Sequence, residues 1–135
     1  MLRSIFAVLT GYLTMVVIVA LATFLLQAAF PAWFLAGTPP PTPYLALNIA
    51  FSFFAAFIGG WTAARIATRR QFAHAISLAA ATFLLAVVST LYASQGQPRW
   101  YQILLAVLMP LTVLAGGWIR ARAVEAREEA TRTLP

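Results

Sequence analysis

Charged side chains are so unevenly spaced along this chain that they divide it into long apolar stretches. After Arg3 none occurs until Arg65; after Arg69 and Arg70 the next is Arg99, and the one after that is Arg120. Residues 4–64, 71–98 and 100–119 are dominated by Leu, Ala, Val, Ile and Phe. A helix that crosses a bilayer needs about 20 such residues, so the first stretch holds two helices and a connector and each of the others holds one. Pro31 stops the first helix because it has no N–H for the ladder, while Pro43 is tolerated in the first turn of the second. Thr68, Arg69, Arg70 and Gln71 form the next turn, and the run from Ser94 to Pro98 breaks the third helix. The pattern predicts an all-α integral membrane protein with four transmembrane helices over 4–30, 43–67, 72–92 and 99–120. They form a single domain over 1–135, ending in a short cytoplasmic tail over 121–135. The first connector begins apolar and continues as a stiff, polyproline-like segment around Pro39, Pro40, Pro41 and Pro43. Arg3 and the Ala20, Leu21, Ala22 sequence have the form of a signal peptide, but the apolar run continues to Phe30, which favours an uncleaved span.

Composition agrees with lipid as the solvent. The chain has 135 residues, is 62% hydrophobic and has a mean hydropathy of +0.86. Too few polar residues remain to cover a water-soluble globule. All nine basic residues are arginines against three acids, for a net charge of +6. Their grouping at the predicted helix ends reads as membrane anchoring, with no nucleic acid as partner. Arg3, Arg65, Arg69, Arg70, Arg120, Arg122, Arg127 and Arg132 fall on one side and Arg99 on the other. Under the positive-inside rule both termini are cytoplasmic. Trp33 and Trp100 mark the outer interface and Trp61 and Trp118 the inner one, with Tyr44, Tyr92 and Tyr101 in the outer aromatic belt. The membrane-interface anchors are therefore these four tryptophans together with Arg65, Arg69, Arg70, Arg120 and Arg122.

Short motifs recur. Gly59, Gly60 and Trp61 reappear as Gly116, Gly117 and Trp118, 57 residues later. The run from Ala22 to Leu26 matches that from Ala81 to Leu85 at an offset of 59. Two matches in order suggest a duplicated helical hairpin with both halves pointing the same way; chance among residues common in any span is the competing reading. Small residues at four-residue spacing let helix backbones approach closely. The candidate packing positions are Ala56, Gly59, Gly60, Ala63 and Ala64 on the second helix, Ser77 and Ala81 on the third, and Gly116 and Gly117 on the fourth.

Chemistry is scarce. There is no cysteine, and the three acids, Glu125, Glu128 and Glu129, all lie in the tail. General acid–base or metal catalysis needs His, Asp, Glu or Cys at close quarters, so no catalytic, cofactor-binding or metal-binding residue is expected. His74 stands alone at the inner end of the third helix and reads as an interfacial residue. Pro110, in mid-helix, removes the hydrogen-bond partner of the Ala106 carbonyl and predicts a kink. Asn48, Thr82 and Thr112 are the polar groups that would line a pathway beside it. Asn48 and Gln27 are also placed to hydrogen-bond across the first hairpin.

The run Gly59, Gly60, Trp61, Ala63, Ala64, Arg65, Ile66, Ala67, with His74, Ala75 and the second Gly-Gly-Trp, resembles a class of small bacterial inner-membrane proteins with four spans whose role is uncharacterised. The resemblance covers the whole chain and implies location only. Packing surfaces are the one constellation present, which points to a non-enzymatic accessory, scaffold or assembly subunit. Its partners are then the lipid bilayer and another membrane protein or itself. The alternative is a small channel or transporter formed by a homo-oligomer.

Overall fold

A computed structural model describes residues 2–35, 38–67, 71–92 and 97–132, with side chains except those of residues 2–4 and 92. The described chain folds into four helices: α1 (Leu2–Ala29), α2 (Thr42–Ile66), α3 (Gln71–Tyr92) and α4 (Arg99–Arg132). Each is long and apolar enough to cross a membrane.

Proline chemistry sets the boundaries. The Phe30 N–H still reaches the Leu26 carbonyl at 2.8 Å, but Pro31 has no N–H to continue the ladder. The chain tightens into a 3-10 turn over Pro31–Phe34, held by the Trp33 N–H on the Phe30 carbonyl at 3.0 Å and by stacking of the Phe30 and Trp33 rings at 4.2 Å. Pro41 then adopts φ −69° and ψ 152°, the polyproline conformation expected of this segment. From it α2 starts at Thr42, with Pro43 in the first turn. Pro98 plays the same part for α4, its carbonyl accepting the Tyr101 N–H at 3.1 Å. The fourth helix continues past residue 120 without a break, running through Pro110 to Arg132. At about 1.5 Å per residue its 34 residues measure about 51 Å, well beyond the roughly 30 Å of a hydrocarbon layer.

The bundle is centred on α2, which packs extensively against α1 and α4; α4 packs in turn against α3, and α3 touches α2 and α1 more lightly. The helices α2 and α4 lie side by side in the same direction. Asn48 meets Tyr101 near their starts, and Phe57 and Gly60 meet Gly116 and Val113 farther along both helices.

Small residues form the contacts. A Cβ on Gly60 would collide with the Val113 carbonyl oxygen, and one on Gly116 with the Phe57 carbonyl oxygen, lying 3.1 Å from the Trp61 nitrogen. The two contacts are reciprocal: backbone meets backbone from both sides of the α2–α4 seam. On the other face of α2, a Cβ on Gly59 would run into Met15 and lie 2.9 Å from the Gly11 carbonyl oxygen; one on Gly11 would lie 2.8 Å from the Gly59 carbonyl oxygen. The two small-residue rows of α2 thus serve different neighbours, Gly59 and Ala63 turning to α1 and Gly60 to α4. Gly117 completes the set by meeting Ala75 of α3.

On α3 the expected row is corrected. Ser77 is exposed and donates to the Ala73 carbonyl at 3.0 Å, while Ala81 is only half-buried. The inward face is Ala75, Leu78, Ala79 and Thr82. Alanines occur on every side of this helix, so small size alone does not select a face; Leu78, fully buried, fills the space between α1 and α4 that a serine would leave empty.

Size is distributed inside out. Apart from Leu78 and Val113 the fully buried positions are alanines and glycines, whereas Phe24 is 67% exposed and Leu91 is 72% exposed. Large aliphatic and aromatic side chains cover the outer faces of all four helices. Replacing Gly60 with Ala should force α2 and α4 apart and cost about 1–3 kcal/mol, and Gly60→Leu should prevent a monodisperse fold. Ala80→Leu, on an exposed face, should leave thermal unfolding in detergent within error of wild type. Unchanged stability of Gly60→Leu would refute the seam.

Candidate functional site

Two polar features stand out from the apolar bundle, one between helices near their starts and one at the opposite end.

The first is built on α2 and α4. Asn48 and Ser52 are one helical turn apart on the buried face of α2, and Tyr101 is buried in the first turn of α4. The parallel course of the two helices brings them level. The Tyr101 hydroxyl donates to the Asn48 side-chain carbonyl, and the Ser52 hydroxyl donates to the same oxygen at 3.4 Å. Trp100 sits edge-on to the Tyr101 ring, centroids 6.0 Å apart. This is a polar pin: one carbonyl oxygen with two lone pairs accepts from both helices, so neither hydroxyl is left bare in an apolar interior.

Sequence reasoning placed Asn48 correctly as an interhelical group and assigned it the wrong neighbour. The expected bond across the first hairpin is not made, since Gln27 lies on an exposed face of α1 and Asn48 turns to α4. Tyr101, expected in the outer aromatic belt, is 3% exposed. Tyr101 follows two residues after a helix start and is flanked by Trp100, so nothing local distinguishes it from an interfacial ring. Ser52 and Gly11 also carried no sequence signal of their own.

The other candidate pathway residues do not gather into one site. Thr82 is buried on α3 and donates to the Ala79 carbonyl of its own helix at 2.9 Å; Thr112 is half-buried and donates to Leu108 at 2.8 Å. Threonines that bond backward along their own helix have spent their protons there. Pro110 is half-buried on α4. A cavity of about 250 Å³ opens nearer the helix starts, between Trp33, Phe34, Tyr44 and Gln97, where the Phe34 and Tyr44 rings meet edge to face at 5.1 Å.

The second feature comprises the anchors at the other end. Arg120 leans from α4 over the Trp61 ring of α2, 6.0 Å from its centroid, and Arg122 lies 4.4 Å from the Trp118 ring. Arg65 is exposed at the end of α2. Trp33 and Trp100 lie toward the opposite end of the bundle from Trp61 and Trp118. Arg69 and Arg70 lie outside the described residues. Among the described residues no three His, Cys, Asp or Glu side chains come together.

No family model matches the chain, and neither a curated protein nor a solved structure was found that is similar to it.

Tyr101→Phe removes one donor from the pin and should cost about 0.6 kcal/mol of stability in detergent, the average for such bonds between membrane helices. Asn48→Ala strands two buried hydroxyls and should cost more, about 1–3 kcal/mol. Denaturant titration of the two variants checks the order; equal, negligible losses would show that the pin contributes nothing to helix pairing.

Proposed function

We propose that this chain is a multi-pass protein of the bacterial inner membrane with both termini in the cytoplasm, acting as an accessory, scaffold or assembly subunit and carrying out no chemistry of its own. The observation that carries this reading is the inside-out distribution of size. Glycine and alanine meet at the seams while Phe, Leu, Val and Ile face outward on every helix. In water such a surface would aggregate, whereas in lipid it is solvated and helices associate through close packing instead. Asn48, Ser52, Tyr101, Thr82 and Thr112 support the same reading because their side chains are engaged with one another or with their own helices.

The arginine asymmetry supports the orientation, since eight of the nine lie toward one side in the predicted topology. The duplicated hairpin rests on the recurrence of Gly-Gly-Trp at an offset of 57 and of the run from Ala22 to Leu26 at an offset of 59.

The absence of cysteine makes topology directly measurable. Thr38→Cys and Gln97→Cys should react with a membrane-impermeant maleimide added to intact cells, and Thr131→Cys should react only after the membrane is opened. Labelling of Thr131→Cys from outside would reverse the orientation. For the role itself, extraction from native membranes in mild detergent should recover the chain with a membrane-protein partner at fixed stoichiometry. Recovery as a sealed homo-oligomer that conducts ions in proteoliposomes would replace the scaffold with a channel.

A further inference from the structure

We infer that the end of the bundle where α2 and α4 leave the bilayer binds the phosphate of an anionic lipid headgroup through Arg120 and Arg127. The inference rests on the membrane-spanning reading above and deepens it by naming the lipid chemistry that this end selects. From Arg99 to Arg120 the helix rises about 32 Å at 1.5 Å per residue, close to the thickness of the hydrocarbon layer. Arg120 therefore stands at the boundary, and the next two turns of α4 traverse the headgroup layer.

Arg120, Val124, Arg127, Glu128, Thr131 and Arg132 fall on one side of this extension and line a shallow concavity of about 410 Å³. Three cations face one carboxylate there, so the concavity is electropositive overall. The Thr131 hydroxyl is already donated to the Arg127 carbonyl at 2.8 Å, which leaves recognition to the guanidinium groups. The Arg120 Nε is buried and has no hydrogen-bond partner, while its guanidinium carbon lies 6.0 Å from the centre of the Trp61 ring. Arg120 is half-buried and lines the concavity, where a phosphate oxygen approaching from the headgroup layer meets its guanidinium in the charge-assisted fork geometry that arginine favours. Arg122 is committed elsewhere, packed on Trp118. The indole beside Arg120 gives the site an intrinsic reporter.

The test uses the full chain with Trp33, Trp100 and Trp118 replaced by Phe, so that Trp61 alone fluoresces, reconstituted in phosphatidylcholine vesicles. Acyl-brominated phosphatidylglycerol should quench Trp61 with a relative binding constant about fivefold above that of brominated phosphatidylcholine, the effect of one net charge near the surface. Arg120→Gln and Arg127→Gln should each lower that ratio toward one, whereas Arg99→Gln, at the opposite end, should leave it unchanged. Arg127 is exposed, so its variant keeps the fold even if that of Arg120 does not. A ratio of one in the parent protein, or an undiminished ratio in Arg127→Gln, overturns the inference. Loss of the preference on adding millimolar inorganic phosphate also overturns it, by assigning the arginines to a free anion. If neither brominated lipid quenches Trp61, the membrane-spanning reading fails and this inference fails with it.

Discussion

Contact of backbone with backbone at the α2 seams is the constraint on which the rest of the structure depends. Gly60 against the Val113 carbonyl, Gly116 against the Phe57 carbonyl and Gly59 against Gly11 leave no room for a single added carbon without movement of a helix. In lipid there is no hydrophobic gain in bringing two apolar helices together, because acyl chains solvate leucine as well as another leucine does. What remains is dispersion between well-fitted surfaces, which decays steeply with separation. Glycine is useful here because it allows two helix axes to come close over several turns, so that many weak contacts form together. Having such residues on two faces lets α2 hold α1 and α4 simultaneously, which makes it the centre of the bundle.

The Asn48, Ser52 and Tyr101 cluster complements those seams. Dispersion specifies distance more strongly than register, since a row of small residues repeating every four positions allows a neighbour to slide by one turn at modest cost. A buried carbonyl that accepts two hydroxyls does not. Sliding α4 by a turn would separate Tyr101 from Asn48 and leave polar groups bare in an apolar interior. The pin near the helix starts and the glycines farther along therefore fix α2 against α4 at two depths, one by hydrogen bonding and one by shape.

At the far end, cation and aromatic side chains pair within the bundle. Arg120 over Trp61 bridges α4 to α2, and Arg122 over Trp118 stays within α4, so the two arginines, two positions apart, serve different neighbours. Beyond them α4 continues as a charged helix, so that it is about four turns longer than the hydrocarbon layer requires. Within the proposed membrane arrangement that extension lies in and beyond the headgroups, where positive charge meets anionic lipid.

Helix number and position were legible in the residues alone, because the causes are local. Arginine is costly in hydrocarbon, Pro31 and Pro98 cannot continue a ladder, and Pro41 and Pro43 prepare a first turn; each acts wherever the chain is placed. The glycine pairs were legible as packing positions for the same reason, since absence of a side chain is a property of the residue. Which partner each face meets was decided only by the tertiary arrangement. On α3 the alanines at 73, 75, 79, 80 and 81 offer small surfaces on several sides, and the packed one is known only once Leu78 is seen filling the space beside Val113. Tyr101 reads as an interfacial ring until α2 and α4 run level and bring Asn48 within reach of its hydroxyl, 53 positions away in the chain. Relative depth and rotation of helices arise from simultaneous packing of all four, and no local spacing encodes them.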